Sequence, residues 1–326
     1  MRKQHRKSLR YAHGLRPAEF VYWCRESTST RTRARPPTNM RIIALVVTVW
    51  LLVPTAAWAQ FSKVFDDLSM TSEILDGERK YAVYLPPGYE TSERSYPVLY
   101  LLHGGGDDQT GWVQFGEVAH ITDRALAEGK ATPMVIVMPD ASEGQRGYFN
   151  DVTGEWRYED FFFEEFIPYI EASYRVKGER RYRAVAGLSM GGGGSFMYAL
   201  HRPDWFSSAA PLSASTGSLT LEDLRRRLGD AANDVSEEQL ASYFRDHSAV
   251  ELVRSLPVDQ ISSVRWYIDC GDDDFLYEGN SLVHIEMRKR DIPHEFRVRD
   301  GGHTWTYWRE ALPDVLRFVS EAFHQY

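Results

Sequence analysis

Residues 182–200 read YRAVAGLSMGGGGSFMYAL. The apolar run from Tyr182 to Ala186 is typical of a buried strand, and the residues after Ser189 have helical spacing. Between them Gly187 and Gly191 flank Ser189 as Gly-x-Ser-x-Gly. In a sharp strand-to-helix turn this motif holds the serine in a strained backbone, and only small residues at the two flanking positions avoid a clash. We therefore predict that Ser189 is a nucleophile at a helix N-terminus, where negative charge is favoured. The alternative is a glycine-rich turn or phosphate loop without chemistry.

Apolar runs alternate with amphipathic stretches on both sides of this motif. Strands are predicted at 80–85, 98–102, 134–138, 182–187, 264–270 and 294–298, and helices at about 118–128, 159–173, 190–201, 279–290 and 306–323. Such alternation predicts an α/β fold with a mostly parallel sheet and helices on both faces. The charged stretch at about 216–257 interrupts it, and we predict a helical excursion there, either a lid or a solvated pair of surface helices.

A serine nucleophile needs a base and an acid, in the chain order Ser, acid, His. His303 lies in a loop between the last predicted strand and the last predicted helix, so it is the predicted base. Asp272, Asp273 and Asp274 follow the strand that ends near Cys270, and one of them is expected to orient the imidazole. The three carboxylates could also suggest a cation site, but the sequence shows no second ligand group, so no metal and no cofactor are predicted.

An oxyanion hole is predicted from the glycines that follow the strand ending at Leu102. The backbone N–H groups of Gly105 and of Met190, the residue after the nucleophile, would bind the oxyanion. His103 precedes Ser189 in the chain and is expected to shape this loop instead of acting as the base.

The N-terminus predicts export to the periplasm or outside the cell. After Arg41 an uncharged run from Ile42 ends in Ala57-Trp58-Ala59, which fits a signal peptide cleaved after Ala59; an uncleaved membrane anchor is the alternative. The basic leader at 1–39 indicates either that translation starts at Met40 or that the leader is an organelle transit peptide. Residues 60–326 would then form one domain with no membrane contact.

Charge and cysteine content restrict the partners further. The chain has a formal net charge of −8, and removal of the basic leader makes it more acidic, which argues against nucleic acid as a partner. The two cysteines are Cys24 and Cys270, so the mature chain would have no internal disulfide, and Cys270 is expected to be buried at a strand end.

Four motifs in the correct order resemble the putative esterase family of α/β-hydrolases. They are the strand with His103-Gly104-Gly105, the serine motif, the segment Cys270 to Leu276, and Gly301-Gly302-His303-Thr304-Trp305. The family includes feruloyl and acetyl-xylan esterases, S-formylglutathione hydrolases, siderophore esterases and mycolyltransferases. The resemblance covers about residues 62–324 and implies an α/β-hydrolase fold.

The resemblance also implies roles for individual residues. The feruloyl esterase pattern Cys-Gly-x-x-Asp-x-Leu places the acid on Asp274, with Asp273 as second choice, and it places one oxyanion N–H on Gly105. Trp112 and Phe149-Asn150 match positions that recur in that branch. Trp305 belongs to a group of aromatic residues near the motifs that would suit a cinnamoyl group.

The predicted activity is hydrolysis of carboxylic esters through an acyl-enzyme, with acylated plant cell-wall polysaccharide or oligosaccharide as the substrate. Acetyl-xylan or siderophore ester hydrolysis and acyl transfer remain alternatives. A non-enzymatic binding module is opposed by the presence of Ser189, Asp274 and His303. The sequence does not determine the oligomeric state.

Overall fold

The computed structural model describes residues 61–142 and 147–324. The predictions of a leader, a signal peptide and a start at Met40 fall on residues 1–59 and lie outside the described residues. Within the described part of the chain, no helix is long and apolar enough to cross a lipid bilayer.

The centre of the domain is an eight-stranded, mostly parallel sheet. Its strands are β1 Lys63–Ser72, β2 Gly77–Leu85, β3 Val98–Leu102, β4 Val135–Pro139, β5 Arg183–Leu188, β6 Ser208–Leu212, β7 Arg265–Gly271 and β8 Glu295–Arg299. The spatial order is β1-β2-β4-β3-β5-β6-β7-β8. β2 pairs antiparallel with β1 and β4, and the other neighbours pair parallel. The predicted α/β-hydrolase fold is confirmed by this topology and by the similarity to solved structures described below.

Helices cover both faces of the sheet. They are α1 Gly111–Gln114, α2 Val118–Ala127, α3 Tyr158–Phe161, α4 Ile167–Ser173, α5 Met190–His201, α6 Leu221–Leu228, α7 Glu237–Asp246, α8 Ala249–Ser255, α9 Val258–Ser262, α10 Tyr277–Lys289 and α11 Trp305–His324. A π-helical turn, Phe162–Phe166, joins α3 to α4, so the helix predicted at 159–173 is continuous but irregular.

The central strands are apolar along their whole length because both of their faces are buried. In β3, Tyr100 and Leu102 point into one hydrophobic cluster, and Leu99 and Leu101 point into a second cluster on the opposite face. Since strand side chains alternate, an uninterrupted apolar run fills both clusters at once. The carboxyl ends of β3, β5 and β7 meet at one edge of the sheet, where the predicted site residues follow them.

Two strands, β1 and β6, are not predicted from the sequence. β1 is an edge strand whose residues are mostly exposed, and its charged side chains hide the apolar signal. β6 reads Ser-Ala-Ala-Pro-Leu, which lacks the β-branched and aromatic residues that mark strands. Pro211 lies inside it, and the pairing of β6 with β7 skips Ala210 and Pro211, since proline has no N–H to donate.

The predicted excursion at 216–257 is helical. The connection from β6 to β7 contains α6, a 3₁₀ turn at Gly229–Asn233, α7, α8 and α9. α7 begins with a capping box in which Ser236 and Gln239 satisfy each other's backbone N–H groups. These helices reach the edge of the sheet where the site lies.

Candidate active site

Ser189 occupies a strained turn between β5 and α5. Its backbone has φ 55° and ψ −114°, a region that residues with a side chain rarely adopt. Two backbone hydrogen bonds hold the turn: the N–H of Ser189 donates to the Leu212 carbonyl at 2.9 Å, and the N–H of Ser215 donates to the Ser189 carbonyl at 2.9 Å. The strain is therefore fixed by the neighbouring strand β6 and the loop that follows it.

The glycines around Ser189 are required by space. A Cβ on Gly187 would lie 2.5 Å from the carbonyl oxygen of Gly191, and a Cβ on Gly191 would lie 2.5 Å from that of Leu102. A Cβ on Gly192 would lie 2.7 Å from the Leu212 carbonyl oxygen. The run of glycines thus lets the first turn of α5 pack directly against the backbone of β3 and β6.

Ser189, His303 and Asp274 form one hydrogen-bonded chain. The Ser189 hydroxyl donates to Nε2 of His303 at 2.9 Å, and Nδ1 of His303 lies 2.9 Å from Oδ2 and 3.0 Å from Oδ1 of Asp274. A carboxylate only accepts, so Nδ1 carries the proton and Nε2 is free to accept one from the serine. The structure therefore brings together the three residues that the sequence predicted, in the geometry that a base and its orienting acid require.

Asp274 is held as a carboxylate. It is almost fully buried, and burial by itself would raise its pKa. Hydrogen bonds from His303 and from the backbone N–H of Leu276, the latter at 2.8 Å, outweigh burial, so the pKa of Asp274 lies below its usual value. A charged acid in this position stabilises the imidazolium that forms when Ser189 loses its proton.

The neighbouring aspartates have other surroundings. Asp272 and Asp273 are exposed, and Asp272 accepts a hydrogen bond from the backbone N–H of Gly301 at 3.1 Å. Asp269 is fully buried and accepts hydrogen bonds from the Tyr267 and Tyr307 hydroxyls and from Arg299, which faces it at 2.8 Å. Asp274, and not Asp273, is therefore the carboxylate that faces the imidazole.

A group of exposed carboxylates, from Asp272, Asp273 and Asp300, lies beside the acid loop with oxygen atoms within 4.8 Å of one another. All three side chains are on the surface, where acidic groups are solvated by water. Asp272 already accepts a hydrogen bond from the backbone N–H of Gly301, which links two loops at the site. The absence of a metal site stays a prediction.

His103 and Cys270 are buried structural residues. His103 Nδ1 donates to the Gly104 carbonyl at 2.8 Å, and its Nε2 accepts from the backbone N–H of Ala141 at 3.0 Å, so the ring joins the ends of β3 and β4. Burial, with the negative charge of nearby Asp274, raises the pKa of the Cys270 thiol to about 12. At neutral pH that thiol is protonated and is a poor nucleophile.

Two backbone amides are available as oxyanion donors. Met190 is the first residue of α5, where a helix leaves its N–H groups without an intrahelical acceptor. Gly105 lies in the exposed loop after β3, and its N–H donates to no acceptor within residues 61–142 and 147–324. Both residues line the cleft that contains Ser189. Their role as an oxyanion hole stays a prediction.

Ser189 opens into a cleft of about 1150 Å³, large enough for an aromatic acyl group with part of its alcohol. The described lining consists of Gly105, Gly106, Asp107, Asp108, Ala141, Ser142, Gly147, Phe149, Ser189, Met190, Ser215, Gly217, Ser218, Leu224, Arg227, Leu228, Tyr243, His247, Phe275 and Leu276. Part of the lining comes from the loops after β3 and β4, and another part comes from α6 and α7. The excursion therefore forms part of the site, which favours the lid interpretation over a solvated surface pair.

The four predicted substrate-binding residues do not share one location. Phe149 lines the cleft. Trp112 is fully buried, and its indole N–H donates to the Leu102 carbonyl at 3.0 Å, so the prediction that it contacts substrate is wrong. The Asn150 side chain accepts from the backbone N–H of Asp160 at 3.2 Å and lies outside the cleft lining.

Trp305 also lies outside the cleft lining. Its ring packs edge-on against Trp112 at 5.2 Å and tilted against Phe115 at 5.9 Å. Asn150 and Trp305 are both partly exposed, and their contact with substrate stays a prediction. Only Trp112 is misplaced, because its side chain is used in the packing beneath the site and in the hydrogen bond to Leu102.

The residues that α6, α7 and the end of α7 contribute to the cleft, above all Tyr243 and His247, are not predicted from the sequence. Phe275, which is 76% exposed and packs against the His303 ring at 4.4 Å, is also not predicted. A signal existed for Phe275, because it directly follows Asp274. No comparable signal marked His247, which reaches the cleft only through tertiary packing.

The comparisons with known proteins identify similarity to esterases. A model of the putative esterase family matches residues 72–319. An esterase of Mycobacterium tuberculosis is 42% identical over 266 residues, which cover 72% of this chain and 53% of that protein. An endo-1,4-beta-xylanase/feruloyl esterase of Xylanibacter ruminicola is 38% identical over 143 residues, which cover 41% of this chain and 19% of that protein. The chain thus spans about half, or less, of the length of these relatives.

A solved structure of a ferulic acid esterase resembles this fold over most of its length. It is 39% identical, has a TM-score of 0.72, and the match covers 81% of this chain and 99% of that chain. The similarity therefore includes nearly the whole of that protein.

Proposed function

The chain belongs to the putative esterase family of α/β-hydrolases, and on that premise we propose that it is a serine carboxylic-ester hydrolase that works through an acyl-enzyme. The observation that carries the proposal is the hydrogen-bonded chain from Ser189 through His303 to Asp274, open to a cleft of about 1150 Å³. A nucleophile, a base with the correct tautomer and a buried charged acid are what acyl transfer from an ester requires.

The reaction begins with attack on the ester carbonyl. Nε2 of His303 takes the proton from the Ser189 hydroxyl as its oxygen bonds to the carbonyl carbon, and the carbonyl oxygen becomes an oxyanion. The N–H groups of Gly105 and Met190 donate to it; loss of one such donor typically costs about a hundredfold to a thousandfold in rate. His303 then gives its proton to the leaving alcohol, and the acyl-enzyme remains.

Deacylation repeats these steps with water. His303 accepts a proton from a water molecule as the water oxygen attacks the acyl carbon, and it returns that proton to Ser189 as the acid product leaves. Throughout, Asp274 stays ionised and stabilises the imidazolium. No cofactor is needed for this sequence.

For the acyl group we propose a hydroxycinnamoyl residue such as feruloyl. The described cleft has an aromatic wall made by Phe149, Tyr243 and the imidazole of His247, and such rings stack on a flat aromatic acyl group. The similar ferulic acid esterase, at 39% identity, supports the same acyl class.

For the alcohol we propose a sugar of plant cell-wall polysaccharide, reached after export. The export proposal rests on the apolar run that ends at Ala57-Trp58-Ala59. The cleft mouth beside His303 presents the exposed ring of Phe275, a surface on which a sugar can pack. The acidic balance of the chain suits a substrate without phosphate groups.

The test compares two esters on the purified protein. We expect turnover of methyl ferulate with a kcat/KM well above that for acetylated xylan, and covalent labelling of the wild type by an organophosphonate. Ser189→Ala is the matched control; it should stay folded, resist labelling and lose several orders of magnitude in rate. Near-normal activity in folded Ser189→Ala would end the serine mechanism. Activity on acetylated xylan alone would show that the acyl group of the substrate is acetyl and not aromatic. Transfer of the acyl group to a sugar acceptor in place of water would identify an acyltransferase.

A further inference from the structure

His247 is built into the wall of the cleft with its ring in a fixed orientation. It caps the C-terminus of α7, and its ring stacks on Tyr243 with centroids 3.8 Å apart and 14° between the planes. The ring of Phe149 meets it edge-on at 5.7 Å. The Tyr243 hydroxyl donates to the Asn150 carbonyl at 3.2 Å, which joins α7 to the opposite loop. An imidazole held in this way cannot turn freely.

The hydrogen bonds of His247 determine its tautomer. Nδ1 lies 3.1 Å from the carbonyl oxygen of Tyr243. A carbonyl only accepts, so Nδ1 carries the proton, and Nε2 of the neutral ring has a lone pair. No group within residues 61–142 and 147–324 hydrogen-bonds to Nε2. His247 lines the cleft, and its Nε2 is left to accept a hydrogen bond.

The neighbouring residue His201 keeps this ring neutral. Its Nδ1 lies 2.9 Å from a carboxylate oxygen of Glu159, and its Nε2 lies 2.7 Å from the carbonyl oxygen of Asp246. Both partners only accept, so both nitrogens of His201 carry protons and the ring is positively charged. The rings of His201 and His247 are 5.8 Å apart. Burial, together with that positive charge, holds the pKa of His247 below its usual value.

His247 lines the same cleft as Ser189. His303 protonates the leaving alcohol, so the alcohol lies on the side of His303 and the acyl group extends away from it. The N–H of Ser215 donates to the Ser189 carbonyl, and Gly217, two residues further on, lies so close to His247 that an added Cβ would clash with the His247 carbonyl oxygen. The segment 215–217 therefore connects the turn at Ser189 to the wall that carries His247.

A second polar group lies beside this segment. Ser218 lines the same cleft and is 7% exposed, and its hydroxyl has no hydrogen-bond partner among the described residues. Buried polar groups are generally satisfied, so a hydroxyl without a partner indicates a polar ligand at this end of the cleft.

We propose, as an extension of the proposed function and resting on it, that Nε2 of His247 accepts a hydrogen bond from the phenolic hydroxyl of a hydroxycinnamoyl group. His247 is then a specificity-determining residue that favours acyl groups with a ring hydroxyl over those without one. Its role is in binding, and it takes no part in the transfer of protons at the ester.

The test uses two methyl esters that differ only in the ring hydroxyl, methyl p-coumarate and methyl cinnamate. His247→Phe keeps a flat ring and removes the acceptor, so the ratio of kcat/KM for methyl p-coumarate to kcat/KM for methyl cinnamate should fall by roughly threefold to tenfold. His247→Gln, whose side-chain oxygen can replace Nε2, should restore part of the preference. The ratio of the two values on one preparation cancels any difference in the active fraction.

The outcomes separate this inference from the function on which it rests. Equal losses on both esters in His247→Phe, or no loss on either, would overturn the inference while the wild type remains an aromatic esterase. A wild type that labels at Ser189 but hydrolyses neither ester would overturn the hydroxycinnamoyl proposal and this inference with it. Methyl esters contain no sugar. If His247→Phe changed kcat/KM only for sugar esters and for neither methyl ester, His247 would contact a hydroxyl of the alcohol, and the inference would also be overturned.

Discussion

Replacing Asp274 by Asn should separate the charge of the acid from its shape. Asp274 lies 2.9 Å from Nδ1 of His303, and its side chain is fully buried in that ion pair. Asparagine has nearly the same volume but no charge, and its NH₂ group can force His303 into the wrong tautomer. Asp273→Asn is the matched control, because Asp273 is exposed and makes no hydrogen bond to His303 within the described residues.

The expected loss follows from the geometry. At an effective dielectric constant of about 20, a charge pair separated by about 4 Å interacts by about 4 kcal/mol. Because about 1.4 kcal/mol corresponds to a factor of ten, loss of this stabilisation slows acylation by about a thousandfold. The wrong tautomer of His303 lowers the rate further. The same substitution of the triad acid in serine proteases lowers kcat by about ten thousandfold. We therefore expect Asp274→Asn to lose about 10³ to 10⁴ in kcat, and Asp273→Asn to stay within about threefold, since salt screens an exposed charge.

The assay is steady-state hydrolysis of methyl ferulate, with the concentration of active sites measured by organophosphonate titration. Both variants should unfold within a few degrees of the wild type, which shows that the loss is not one of folding. If Asp274→Asn kept more than a tenth of the activity, or if Asp273→Asn lost as much as Asp274→Asn, the assignment of the acid would be wrong.

Two further predictions concern the packing around the site. Gly191→Ala should destabilise the fold by roughly 1–3 kcal/mol and abolish activity, because the added Cβ would lie 2.5 Å from the Leu102 carbonyl oxygen. Gly105→Ala, where a Cβ meets nothing within 4 Å, should change the free energy of unfolding by less than about 0.5 kcal/mol; equal effects in denaturant unfolding would contradict the packing argument. His201→Gln should cost roughly 1–3 kcal/mol at pH 6. Burial opposes the charge on His201, but the hydrogen bond and negative charge of Glu159 outweigh it and raise the pKa of His201. A raised folded pKa gives stabilisation that is complete below the unfolded pKa of about 6.5 and is lost as the pH rises through the folded value, so the difference between wild type and variant should shrink by pH 9. A difference that is constant from pH 6 to pH 9 would refute this.

The sequence predicted the residues of the site wherever a local motif constrains the backbone. Gly187 and Gly191 identify the turn at Ser189 because no larger residue fits there. His303 and Asp274 follow strands whose ends meet at one edge of a parallel sheet, so chain order was enough to group them. β3 was predicted with its observed bounds, because a strand buried on both faces has an uninterrupted apolar run.

The remaining features depend on contacts that local patterns do not encode. Trp112 and Phe149 are both aromatic residues near motifs, yet Trp112 is buried under the site and Phe149 lines the cleft. Their difference is set by tertiary packing, since Trp112 lies on α1 with its indole N–H on the Leu102 carbonyl and Phe149 lies in a loop. His247 is placed by its stacking on Tyr243 and by the Glu159–His201 pair, whose members are 42 residues apart in the chain.

The connection between β6 and β7 has a consequence for the divergence of this enzyme. Its helices α6 and α7 supply one wall of the cleft, but none of the three residues Ser189, Asp274 and His303 lies on them. A substitution, insertion or exchange within Leu221–Asp246 can therefore alter which acyl groups fit while the chemical machinery stays intact. Selection can act on substrate range and on catalysis almost independently, and this helical segment is the place from which new specificities can evolve or be recombined in the laboratory.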